Sequence, residues 1–90
     1  MIKTLKVTLF GRVQGVGFRY YATRKARSLN VTGYVRNKPD GSVEVVATAE
    51  EKTLERFVEV LSQGPLTGHV TKVEKEELPL KEFSTFEVRL

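Results

Sequence analysis

From Leu5 to Leu9 the chain alternates, with Leu5, Val7 and Leu9 apolar and Lys6 and Thr8 polar, which predicts a strand with one buried face. The period then changes. Phe18, Ala22, Ala26 and Leu29 recur at helical spacing with Tyr21 beside them, while Arg24, Lys25 and Arg27 lie opposite, predicting an amphipathic helix over Tyr20 to Leu29. Val31 to Asn37 reads as a second strand. It leads into the turn Lys38-Pro39-Asp40-Gly41, where Pro39 presets φ and Gly41 tolerates a positive one. Val43, Val45 and Ala47 mark one face of a third strand, and Thr48 and Glu51 have the spacing of a capping box. Leu54, Phe57, Val58 and Leu61 fall at i, i+3, i+4 and i+7, the clearest helical pattern in the chain, ended by Gly64 and Pro65. Val70 to Leu78 is a further extended segment, and Phe86, Val88 and Leu90 give a short last strand.

The order β-α-β-β-α-β with one extra strand predicts an α+β sandwich, two helices packed on one face of a four- to five-stranded antiparallel sheet in the ferredoxin-like arrangement. Residues 1–90 read as one domain, with no repeat or linker. In that arrangement strands one and two run the same way with strand three between them. Their C-terminal ends then stand about 10 Å apart, two strand spacings of about 4.8 Å. Gln14 to Arg19 and Asn37 are thereby expected at one mouth.

Composition narrows the chemistry. There is no cysteine and one histidine, His69, which removes thiolate nucleophiles and leaves little for a metal site or a serine–histidine relay. No apolar run is long enough to span a membrane, and "MIKTLKVTLF" lacks the features of a signal peptide, so a cytoplasmic protein without membrane partners is expected. The formal net charge of +4 favours an anionic partner without identifying it.

The stretch "GRVQGVGFR", Gly11 to Arg19, holds three glycines and two arginines. Glycines before a helix let the backbone turn several N–H groups toward one point, and the helix start adds unpaired donors and the positive end of its dipole. Such a loop cradles a phosphate or carboxylate, and Arg19 can add a bidentate clamp. Arginine at a helix start, where the dipole disfavours a cation, supports this use. Equally, the glycines can serve only a tight crossover. Two known phosphate loops do not fit. A dinucleotide fingerprint from Gly15 needs glycine where Tyr20 stands, and a Walker-type loop from Gly11 needs glycine where Val16 stands. Arg12, Arg24, Lys25, Arg27 and His69 read as solvated surface, and Tyr20 and Tyr21 as packing residues with one of them able to border the mouth.

"LFGRVQGVGFR" resembles the first signature of the acylphosphatase family, and "GYVRNKPDGSV" resembles the second. The second pattern closes on a glycine where this chain has Ala49, at the end of the third strand. Length, element order and "GPLTGHVTKVE" fit as well, so the resemblance spans essentially the whole chain. It implies hydrolysis of small acyl phosphates to carboxylate and inorganic phosphate, chemistry that requires no metal or cofactor; a monomer is the default expectation. The backbone of Gln14, Gly15, Val16, Gly17 and Phe18 is then expected to surround the phosphoryl group, Arg19 to hold its oxygens and Asn37 to position the attacking water. Arg19 and Asn37 are the catalytic residues of this reading. The alternative is a non-catalytic phosphate- or nucleic-acid-binding ferredoxin-like module. Sheets that bind RNA display clustered aromatics, and "SVEVVAT" of the third strand has none, so no nucleic-acid partner is expected. A phosphate-binding module of a larger carbamoyl-transfer enzyme is a third reading, which the lack of a linker disfavours.

Overall fold

The computed structural model describes all 90 residues. In chain order the elements are β1 (Ile2–Arg12), α1 (Phe18–Ser28), β2 (Thr32–Asn37), β3 (Val43–Glu50), α2 (Glu51–Gln63), β4 (His69–Leu78) and β5 (Phe86–Arg89). The two periodic segments bury their predicted stripes: Phe18, Ala22 and Ala26 on α1, and Leu54, Phe57 and Leu61 on α2. Both meet Val7, Leu9, Val35, Val43, Val45 and Ala47 of the sheet in one core. Phe57 of α2 packs edge-on against Phe86 of β5, with ring centroids 5.9 Å apart.

The strand order is β4-β1-β3-β2-β5. β3 runs antiparallel to both β1 and β2, so those two share a direction and end on one side of the sheet. The expectation of an antiparallel sheet fails at one edge: β5 pairs with β2 in parallel, Val88 opposite Val35. The sheet is mixed because β4 and β5 occupy opposite edges. The connection between them must cross the whole sheet, and it delivers β5 in the direction of β2. It crosses on the face that carries no helix. There the N–H of Lys81 donates to Thr4 Oγ1 at 2.9 Å, Thr48 Oγ1 donates to the Lys81 carbonyl at 2.8 Å, and Phe83 stacks edge-on against Tyr34. The strap therefore covers part of the face on which an RNA-binding sheet displays its aromatics, at the Thr4–Thr48 end.

The capping box does not form. Thr48 remains in β3, and its hydroxyl serves the strap and Thr4 instead. β3 continues to Glu50, which precedes α2 without a side-chain cap, and the first N–H of that helix, from Glu51, donates to the Met1 carbonyl at 3.1 Å. Ala49, where the family signature has glycine, pairs regularly with Lys3. No helix is long and apolar enough to cross a membrane.

Candidate active site

Between β1 and α1 the chain reverses through Val13 to Gly17. Gly15 and Gly17 both adopt left-handed φ, 73° and 81°, with open space where a Cβ would stand. Glycine is required at these two positions by backbone conformation, not by crowding. Gly11 serves a different end. It sits at a bulge in the β1–β4 ladder, where a Cβ would run into the carbonyl of His69. Gly17 is the residue before α1 and offers no side-chain cap, and the first turn holds no acidic residue. The N–H groups of Gly15, Val16 and Gly17 donate to nothing within the protein. The loop thus presents unpaired donors beside a helix N-terminus, the arrangement that binds anions.

The loop is pinned from both sides. Gln14 Nε2 donates to the carbonyls of Lys38 and Ser42 at 2.7 and 2.8 Å, tying the loop to the β2–β3 turn. Thr67 Oγ1 donates to the Val16 carbonyl at 2.8 Å from the α2–β4 connection. The β2–β3 turn is itself closed by Asp40, whose carboxylate accepts from the Ser42 hydroxyl and N–H at 2.6 and 2.9 Å. Those two hydrogen bonds, the hydroxyl's first, hold the Asp40 carboxyl below the usual carboxylate range.

A cavity of about 390 Å³ opens between this loop, the start of α1, the end of β2 and β5. Its polar side comprises Gly15, Gly17, Arg19 and Asn37, and its apolar side Val13, Phe18, Tyr20, Thr23 and Val88. Arg19 lies in the first turn of α1 and takes part in no ion pair. Asn37 closes β2, and its Oδ1 is the only buried side-chain polar atom in the chain without a hydrogen-bond partner. Leaving such an atom unpaired costs about 1–3 kcal/mol, so a buried orphan at a cavity points to a partner from outside the chain. No group of three or more His, Cys, Asp or Glu side chains comes together that could hold a metal ion.

Of the residues expected at the mouth, Gly15, Gly17, Phe18, Arg19 and Asn37 line one cavity, as the strand order requires. Gln14 and Val16 stand outside its lining; Gln14 turns its side chain to the β2–β3 turn, and Val16 is half-buried against the core. Arg12, Arg24, Arg27 and His69 are exposed, although Arg27 also donates to the Phe86 carbonyl at 3.1 Å. Lys25 is half-buried, its ammonium 5.6 Å from the Tyr21 ring centroid. Tyr21 packs, with its hydroxyl donating to the Val60 carbonyl at 2.8 Å. Val13, Thr23 and Val88 line the cavity without having been expected there, and of the two tyrosines able to border the mouth it is Tyr20 that does. Tyr20 falls off the buried stripe of α1, which could have marked it, whereas the place of Val88 depends on the parallel pairing of β5.

The acylphosphatase family model matches residues 5–88. The acylphosphatase of Acaryochloris marina is 45% identical over 84 residues, covering 93% of this chain and 90% of that protein. Solved acylphosphatases from Bacillus subtilis and Coxiella burnetii superpose with TM-scores of 0.95 and 0.94 at 34% and 39% identity; the first covers both chains in full, the second 98% of this chain and 93% of its own. With sequence, fold and matched length in agreement, the chain belongs to the acylphosphatase family and is a hydrolase of acyl phosphates.

Proposed function

We propose that the phosphoryl group of the substrate sits in the Gly15–Arg19 loop, where backbone N–H groups and the Arg19 guanidinium bind its oxygens, and that Asn37 orients the attacking water. Phosphoryl transfer passes through a loose transition state with charge spread over the equatorial oxygens, so fixed donors and positioning supply most of the catalysis. Water oxygen bonds to phosphorus as the bond from phosphorus to the carboxylate oxygen breaks. The carboxylate leaves with the electron pair, and the water proton passes to a phosphoryl oxygen, giving carboxylate and inorganic phosphate. A carboxylate leaves readily without an acid. Asn37 carries no titratable proton; its Oδ1 accepts a hydrogen bond from the water and fixes its direction.

The observation that carries this reading is the buried, unpaired Asn37 Oδ1 in the same cavity as the unpaired Arg19. Release of inorganic phosphate from benzoyl phosphate, with and without EDTA, tests it. Turnover is expected in both conditions, and Arg19→Ala should lose it while remaining folded. An Arg19→Ala variant that turns over at the wild-type rate would overturn the assignment.

A further inference from the structure

A phosphoryl group against Gly15, Gly17 and Arg19 uses only one side of the cavity. The other side is apolar, and its outer part is built from two side chains that the fold leaves in water. Tyr20 is 70% exposed and Val88 is 43% exposed. The other exposed large hydrophobics stand at the chain ends or in the connections on either side of β4, away from any role in this cavity. Exposed apolar surface gains about 25 cal/mol per Å² when covered, so a pair of such residues at a ligand cavity favours an apolar occupant. The ring of Tyr20 is steadied by the Arg24 guanidinium, 5.6 Å from its centroid. Its hydroxyl bonds to nothing in the protein, so Tyr20→Phe separates what the ring contributes from what the phenol contributes. Thr23, also in the lining, has its hydroxyl engaged by the Arg19 carbonyl at 2.8 Å. Val88 is carried in by β5 and held in register opposite Val35.

We infer that Tyr20 and Val88 form the acyl-binding wall of the site, and that the enzyme selects acyl phosphates whose acyl group is aromatic or branched and apolar over those with a short one. The inference rests on the phosphoryl placement proposed above. Once the phosphoryl oxygens occupy the loop, the acyl moiety projects into the remaining cavity, and its only large side chains accessible from solvent are these two.

The test is the ratio of kcat/KM for benzoyl phosphate to that for acetyl phosphate. In the wild type it should exceed one. Tyr20→Ala should lower it about tenfold and Val88→Ser by a smaller factor, as loss of apolar contact in a specificity pocket does. Tyr20→Phe should keep the wild-type ratio. Both positions are exposed, so thermal melting of the variants should match the wild type. A ratio unmoved in both Tyr20→Ala and Val88→Ser, or a wild type that prefers acetyl phosphate, overturns the wall while leaving the phosphoryl placement standing. Arg19→Ala measured alongside separates the two claims: it should weaken inhibition by inorganic phosphate and depress both substrates together. Undiminished inhibition would overturn the placement, and the wall with it.

Discussion

Arg36 and Asn37 are neighbours on β2, yet they meet opposite fates. Arg36 faces the side of the sheet that carries no helix, opposite Glu44 of β3, and its Nε donates to Glu44 Oε2 at 2.9 Å. Tyr34 adds its hydroxyl to the same oxygen at 3.1 Å. The Glu44 side chain is only 7% exposed. Burial pushes its carboxyl upward, but the hydrogen bonds from Arg36 and Tyr34 and the charge of Arg36 outweigh burial, and it ionises below its usual value. Asn37, one residue on, faces the helix side opposite Val43 and reaches no partner at all. One polar cluster is complete within the chain; the other is half a set of hydrogen bonds. A fold has no reason to retain the second for stability, and this contrast is what supports the ligand placement proposed above.

The contrast can be broken from either side. Arg19→Ala should produce the largest change, a loss of about a thousandfold in kcat/KM, since a preorganised donor on developing charge is worth about 10²–10³ and the guanidinium supplies more than one. Its melting temperature should stay within about 2 °C of wild type, because Arg19 has no partner in the folded chain to lose. Arg36→Ala should do the reverse. Stranding the buried Glu44 carboxylate should cost about 2 kcal/mol, a fall of about 10 °C in melting temperature for a chain of this size, with kcat within twofold. Acid gives the smallest effect. The folded-state ionisation of Glu44 and Asp40 is depressed, so the stability they contribute is present above their unfolded values and is lost as pH falls through the lower, folded ones. Glu44→Gln should flatten that acid limb by a few degrees in a pH series of thermal melts, and an unchanged limb would assign it elsewhere.

What the sequence revealed follows from what is local. The stripes of α1 and α2 and the alternation of β1 are carried by residues within a few positions of one another, and each forms over its predicted stripe, although α1 begins two residues early, at Phe18, and β1 extends beyond Leu5–Leu9 at both ends. The meeting of Gly15 and Arg19 with Asn37 follows from strand order alone, because β1 and β2 must end together once β3 lies between them. The larger errors are long-range. Thr48 has the spacing of a cap, but a strap more than thirty residues later claims its hydroxyl. The parallel pairing of β5 depends on that strap crossing the sheet, so neither the mixed sheet nor Val88 in the cavity could be read from "FSTFEVRL". Gln14 belongs to the matched signature, but its bonds to Lys38 and Ser42 exist only after β2 and β3 have paired.

Asn37 bears the central claim most directly, because it separates holding the phosphate from attacking it. In Asn37→Ala, kcat for benzoyl phosphate should fall by about a hundredfold, the scale of losing one positioning hydrogen bond at the reacting centre, while the inhibition constant of inorganic phosphate stays within about twofold of wild type. A kcat near wild type, or a phosphate affinity that falls in step with kcat, would contradict the division of labour between the glycine loop and the end of β2.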